Sequence, residues 1–278
     1  MPSTLSYALR VLAGRLRVPT DRTCPYCRSS GTRAAGSKHL ILQLRVCGEC
    51  GLKFRFPKDT PYYAESFYQN RYTEPTVTDL PSRELLAELI ANSFKGSGFD
   101  KSDKIDFIIS QLGAYAGDAR VLDYGASFGY FVSQLHSRGV RHVVGYEISR
   151  PRALFGVKNL GLEILSSIDD VLSHRLAPFD VICTSHVLEH MPRIRDAFEF
   201  FSKALKRPGG RLIVWVPNAS QPALERFHNG SFAPLVGEPH PLALTYEFFE
   251  TVLPRHEFRI IETGGREEEE IRLVAEIR

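Results

Sequence analysis

The sequence predicts an α/β chain: a mostly parallel seven-stranded sheet with helices on both faces and an antiparallel terminal hairpin, preceded by a small cysteine-stapled module. Three observations predict it. Strand-like apolar runs alternate with amphipathic helical runs from residue 104 onward. A glycine-spaced turn follows the first of those strands, at the carboxyl edge where a doubly wound sheet holds its ligand. Four cysteines stand near the start as two CxxC pairs, Cys24 with Cys27 and Cys47 with Cys50.

The 278 residues are 43% hydrophobic and 24% charged, enough apolar content for a sizeable core. No apolar run is long enough to span a membrane, and no secretory signal precedes the cysteines, so a reducing, cytoplasmic setting and metal binding are expected over disulfides. Residues 1–60 carry 11 Lys and Arg against 3 Asp and Glu, whereas the remainder carries 24 against 29. A basic module thus precedes a mildly acidic body. That asymmetry reads either as a solvated basic face or as a site for an anionic partner.

Residues 1–20 form the first expected segment. Leu5, Ala8, Leu9, Leu12 and Leu16 share one helical face punctuated by arginines. A short docking helix is expected; a transit peptide or membrane-surface helix is the rival reading. Residues 21–60 follow the pattern Cys-x2-Cys-x19-Cys-x2-Cys. Two CxxC knuckles present four thiolates to one centre, a tetrahedral structural Zn(II) site, with the run 40–46 as a strand feeding the second knuckle. A redox dithiol needs only one pair and leaves the other unexplained. Residues 61–103 form an aromatic connector, with Tyr62, Tyr63, Phe67, Tyr68 and Tyr72, leading into a capped helix over 82–90. The connector either packs the module onto the body or lines a substrate cavity.

Residues 104–278 form the body. A helix over 104–112 delivers the chain to the strand and loop 120–131. Further strands are expected over 143–146, 162–165, 179–184 and 211–216, with helices over 152–159, 168–174 and 193–205 between them. Thr245 caps a helix over 246–253. Two strands, 258–262 and 271–276, close the body without a helix between them and so form an antiparallel edge hairpin.

The loop carries the chemistry. Gly125 and Gly129 adopt backbone angles closed to other residues and let a ligand approach the main chain. Glu147 ends the second strand 22 residues after Gly125, a distance that suits a carboxylate accepting from both hydroxyls of an adenosine ribose. An NAD site also places an acid about 20 residues on. Against NAD stand Asp123, whose charge opposes a pyrophosphate, the missing third glycine, and the helix-free strand pair at the end.

Four motifs together resemble the class I S-adenosylmethionine-dependent methyltransferases: Val-Leu-Asp-Tyr-Gly-Ala-Ser-Phe-Gly (121–129), Glu147, Phe-Asp-Val-Ile-Cys-Thr-Ser-His-Val-Leu-Glu-His (179–190) and Pro-Gly-Gly-Arg-Leu-Ile-Val-Trp-Val-Pro-Asn (208–218). The resemblance covers 104–278 and implies a Rossmann-like fold that binds S-adenosylmethionine. It places Asp123 and Gly125 near the methionine moiety, Gly129 at the close approach, Glu147 on the ribose and Asp169 toward the adenine, with Ser185 after the fourth strand also at the donor. Ser127 departs from the family pattern, standing where many members have glycine.

His186-Val-Leu-Glu-His190 also matches an inverted metalloprotease signature, but that needs both histidines on one stable helix, and Pro192 interrupts the stretch. By resemblance, residues 188–190 shape the donor-pocket floor. His190, and His240 in Gly-Glu-Pro-His-Pro, are the candidate general bases. A histidine merely hydrogen-bonded into the turn and a metal held by Glu and His are the other readings. The ribbon-plus-body order resembles bacterial sugar and natural-product methyltransferases. The chain ends at the edge strands, without the further domain usual for their C-methylating members, so O-methylation of a small-molecule, sugar or glycan acceptor, possibly nucleotide-linked, is expected. The alternatives are a ribbon-bearing RNA methyltransferase, which the basic module would suit, and a non-catalytic donor-binding scaffold.

Overall fold

The computed structural model describes residues 21–39, 42–59, 66–67, 69 and 79–278. The helix expected within 1–20 and the aromatics Tyr62, Tyr63, Tyr68 and Tyr72 lie outside the described residues.

Three strands come first: β1 (Thr32–Lys38), β2 (Leu42–Cys47) and β3 (Lys53–Phe56). Helices α1 (Arg83–Ala91) and α2 (Ser102–Leu112) follow, and the Ser82 hydroxyl caps α1 by accepting from the Leu85 amide. The chain then alternates through β4 (Arg120–Tyr124), α3 (Tyr130–Ser137), β5 (His142–Tyr146), α4 (Arg150–Leu160), β6 (Ile164–Leu165), α5 (Ile168–Leu172), β7 (Val181–Ser185), α6 (Ile194–Ala204) and β8 (Arg211–Pro217). It continues with α7 (Gln221–His228), β9 (Leu242–Ala243), α8 (Tyr246–Val252), β10 (Phe258–Thr263) and β11 (Glu270–Ile277). Thr245 caps α8 as expected, accepting from the Phe248 amide at 3.0 Å.

Strands β4, β5 and β7 are buried nearly throughout, as parallel strands covered on both faces must be. Among the described residues, seven strands form one sheet in the order β10-β11-β8-β7-β4-β5-β6, with the antiparallel pair at its edge. The strand order reverses at β4, which pairs in parallel with β5 on one side and β7 on the other. That reversal makes the carboxyl end of β4 the topological switch point. The third strand is shorter than expected, because only Ile164 and Leu165 pair with β5.

The described chain divides into two compact units. One draws on the described residues between 21 and 59 with 185–202 and 214–276, the other on the described residues between 66 and 184 with 203–213 and 277–278. In the first, β1, β2, β3 and β9 form a four-stranded antiparallel sheet. Leu44 of this sheet packs with Ala219, Leu224, Phe232, Val236 and Ala243. Tyr26, between the first two cysteines, is buried edge-on against Phe198 and Phe248; its hydroxyl lies 3.0 Å from His256, and Arg195 stacks over its ring. In the second unit, Leu86 and Leu89 of α1 join Phe94 and Phe128 in a core flanked by Phe99, Tyr130 and Phe155. Connector residue Gln69 donates to the Ile148 carbonyl at 2.6 Å, just beyond Glu147. Among the described residues no helix is long and apolar enough to cross a membrane.

Four elements have no counterpart in the sequence reading. β1 exposes five of its seven residues and shows no apolar alternation. β3 and the two-residue β9 exist through pairing with each other, Lys53 opposite Ala243 and Phe54 opposite Leu242. α7 presents a polar, proline-containing stretch whose buried side is only Ala223 and Leu224.

Candidate functional site

Strand β4 carries Asp123 into the interior one residue before its end, and the chain then turns sharply. The amides of Gly125 and Ala126 both donate to the Tyr146 carbonyl, at 2.8 and 2.9 Å, which fastens the loop to the end of β5. Gly129 enters α3 at φ 84°, and a Cβ there would meet Leu162 and Ile164 at 2.6 and 2.8 Å. The positive φ favours glycine at this position, and a Cβ would have to displace the ends of those two side chains. Ser127 adopts φ 52°, the left-handed conformation that a central glycine would take without strain.

That conformation points the Ser127 amide at Glu147, whose Oε2 accepts from it at 2.8 Å, while Oε1 accepts from the Ser149 amide at 2.7 Å. The Ser127 hydroxyl in turn accepts from buried Arg152 at 3.2 Å. Burial nevertheless holds the Glu147 carboxyl above its ordinary range, against the pull of the two amides and the Arg152 charge. Asp123 is pushed up to about 7, by burial first and by the Glu147 charge second. Its Oδ2 is buried with no hydrogen-bond partner. Two buried carboxylates thus stand at adjacent strand ends, one of them with an orphaned oxygen. Such a pair is costly unless it receives a cationic group and hydroxyl donors.

Asp169 lies exposed in the first turn of α5, and Ser185 is the last residue of β7. Arg152 and Ser149 were not singled out from sequence. An arginine five residues after the strand-end acid, and a serine at an N-terminal helix boundary, were the available signals.

In the other unit, the Sγ atoms of Cys24, Cys27, Cys47 and Cys50 all lie within 4.8 Å of one another. Cys24 and Cys50 are 3.6 Å apart, and Cys27 and Cys47 3.5 Å. Four thiolates at about 2.3 Å from one Zn(II) have edges of about 3.8 Å, so a cluster with these spacings could bind that ion. The hydrogen bond between them holds the Cys24 thiol down to about 5 and pushes the Cys50 thiol up. The main chain builds the second knuckle, where the Gly51 amide donates to the Cys47 carbonyl at 3.1 Å and the Cys47 amide to Leu52 at 2.9 Å.

This same sheet reaches the histidines. Arg55 of β3 is buried, and its guanidinium donates to the carbonyls of Gly237, Pro57 and Glu238 and to Asp59 at 2.6 Å. Its amide donates to the Pro241 carbonyl at 3.0 Å. The segment carrying His240 is thereby held at both sides. His190 Nδ1 lies 2.9 Å from the Pro239 carbonyl, and the two imidazoles meet edge-on with centroids 4.3 Å apart. The structure thus brings together the two histidines singled out from sequence. The protein packed around His190 pushes it down to about 4, and burial lowers His240 as well, so both are neutral at pH 7. Arg55 went unnoticed because alternation in Lys-Phe-Arg-Phe reads it as a solvent-facing residue.

Residues 81–263, well over half of the chain, match a family model described as a methyltransferase domain. A ubiquinone biosynthesis O-methyltransferase from Xylella fastidiosa (strain M23) is 31% identical over 118 residues, 40% of this chain and 46% of that protein. The protein of that name from strain 9a5c is 33% identical over 103 residues, 34% of this chain and 41% of its own length. The chain spans about half the length of the curated relatives it matches. Among solved structures, magnesium protoporphyrin IX methyltransferase from Synechocystis PCC 6803 with bound SAH superposes with a TM-score of 0.53 at 15% identity, covering 79% of this chain and 100% of that one.

Proposed function

Because the chain belongs to the methyltransferase-domain family, we propose that it transfers a methyl group from S-adenosylmethionine to a hydroxyl of a small-molecule, sugar or glycan acceptor. The observation that carries this reading is the Asp123–Glu147 pair. Asp123 has a buried oxygen without a hydrogen-bond partner, which suits the donor's ammonium, and Glu147 is held in place by two amides so that it can accept from ribose hydroxyls. When bound, S-adenosylmethionine supplies an electrophilic methyl group on a sulfonium sulfur. The loop of Gly125, Ser127 and Gly129 passes its backbone against the donor, and Asp169 and Ser185 complete the donor set we assign. The names of the curated relatives support an oxygen acceptor. We assign a structural Zn(II) to Cys24, Cys27, Cys47 and Cys50, and assign His190 and His240 to the proton that leaves the acceptor hydroxyl.

Methyl-labelled donor offered to separate pools of phenolics, nucleotide sugars, glycan extract and RNA tests the reading. Label is expected as a methyl ether in one of the first three pools. In His190→Ala and His240→Ala proteins turnover is expected to fall by tenfold or more, with donor affinity retained. Label entering RNA alone, or no pool at all, would overturn the assignment.

The raised Asp123 carboxyl gives the donor reading a pH signature. An ammonium binds the ionised form, and with a carboxyl near 7 the ionised fraction grows as pH rises from 5.5 to 7. Calorimetry should show donor affinity rising roughly tenfold over that interval, because each pH unit below the pKa costs about a factor of ten in ionised protein. The slope should vanish in Asp123→Asn. An equal slope in that variant would remove Asp123 from the ammonium site.

A further inference from the structure

Glu189, His190 and His240 each offer one ligand atom, all within 4.8 Å of one another. Glu189 is 2% exposed, and neither of its oxygens accepts a hydrogen bond; His186 Nδ1 stands 3.4 Å from Oε1. His186 is itself engaged by Glu270, 2.6 Å from its Nε2. A carboxylate buried without hydrogen bonds is costly, and buried charges in proteins are paired or bind cations.

The histidines are set up as ligands. The Pro239 carbonyl only accepts, so His190 donates from Nδ1 and carries its lone pair on Nε2. Metal-binding histidines characteristically commit their second ring nitrogen to a carbonyl in this way, which fixes tautomer and orientation. The Arg55 contacts to Gly237, Glu238 and Pro241 secure the segment that presents both Pro239 and His240. Donor atoms about 2.0–2.2 Å from one ion stand roughly 3–4 Å apart, which small rotamer changes reach from the present spacing.

We propose that Glu189, His190 and His240 bind a divalent transition-metal ion, a second metal centre distinct from the four cysteines. Two imidazoles and one carboxylate select Zn(II), Mn(II), Fe(II) or Co(II) over Mg(II) and Ca(II), which prefer all-oxygen surroundings. Four thiolates close a coordination sphere, whereas three ligands leave a position open to an oxygen donor. With the ion in place the two lone pairs go to the metal, so the proton-accepting role proposed above is that of the metal-free protein.

The full chain, saturated with Zn(II) and passed through gel filtration, is expected to hold two metals, and the Glu189→Gln and His240→Gln proteins one. Co(II) titration separates the centres: the cysteine site gives a thiolate-to-metal charge-transfer band, and the second equivalent gives only weaker visible bands, absent from both variants. A retained thiolate band and an unchanged far-ultraviolet dichroism spectrum show that the variants fold. One metal per wild-type chain overturns the proposal, whatever the variants do, and so does a second equivalent that survives both substitutions. Neither donor nor acceptor enters these measurements, so a failed methyl-transfer assay and an absent second metal are separate outcomes.

Discussion

Serine in place of Cys47 is expected to dismantle the four-stranded sheet of the first unit. Structural zinc binding contributes on the order of 10 kcal/mol in small zinc modules, comparable to the whole stability of an ordinary domain. Cys47 closes β2 and its carbonyl anchors the second knuckle, so its loss removes one metal ligand where the sheet turns toward β3. The consequences extend beyond the module. β3 pairs with β9 and carries Arg55, which holds residues 237–241. Releasing Arg55 takes a charged donor from the carbonyls of Gly237, Pro57 and Glu238 and from Asp59, and breaking a buried charged network costs about 3–5 kcal/mol. Thermal unfolding should show a drop of roughly 20 °C or more, at about 2–4 °C per kcal/mol, and the thiolate-to-cobalt band should disappear. An unchanged melting temperature with full metal loss would mean that the cysteines do not hold this sheet together. An unchanged band would mean that Cys47 is not a ligand.

Alanine in place of Glu147 is expected to be the most damaging change for the donor. Its carboxylate accepts from the Ser127 and Ser149 amides, which fixes both oxygens beside the loop. Hydrogen bonds to a charged group contribute about 1.5–3 kcal/mol each. Losing two to the ribose therefore weakens donor binding by roughly 10²- to 10⁴-fold. Calorimetry with S-adenosylmethionine reads this directly, and Glu147→Gln should lose less because its carbonyl oxygen still accepts. Donor affinity unchanged in Glu147→Ala would remove the ribose assignment while leaving Asp123 to be judged by its own pH slope. Ser127 bears on the same result: its amide reaches Glu147 only because the residue is left-handed, at a cost of about 1–2 kcal/mol that glycine would avoid.

Much of this architecture was legible in the chain itself. Buried parallel strands must be apolar on both faces, so β4, β5, β7 and β8 announce themselves as continuous runs whatever surrounds them. Ser82 and Thr245 mark helix starts because capping is a local hydrogen bond. The CxxC spacing places four sulfurs at one centre because each knuckle is a local turn. Asp123 and Glu147 followed from strand ends and loop length. Asp169, by contrast, rested on family resemblance alone, and it lies exposed in α5.

The rest required the fold. β9 is a strand only because β3 lies beside it, and β1 only because β2 pairs with its exposed residues. Arg55 is buried by a segment about 180 residues further along, and no local pattern encodes that contact. The position of the two carboxylates we assign to the donor is therefore a property of the sequence, since strand, turn and acid are neighbours along the chain. Which histidines meet, which carbonyls orient them and which glutamate is left without a hydrogen bond are long-range facts. They arise when residues 55, 189–190 and 235–241 are packed together, and burial and hydrogen-bond satisfaction acquire values only there.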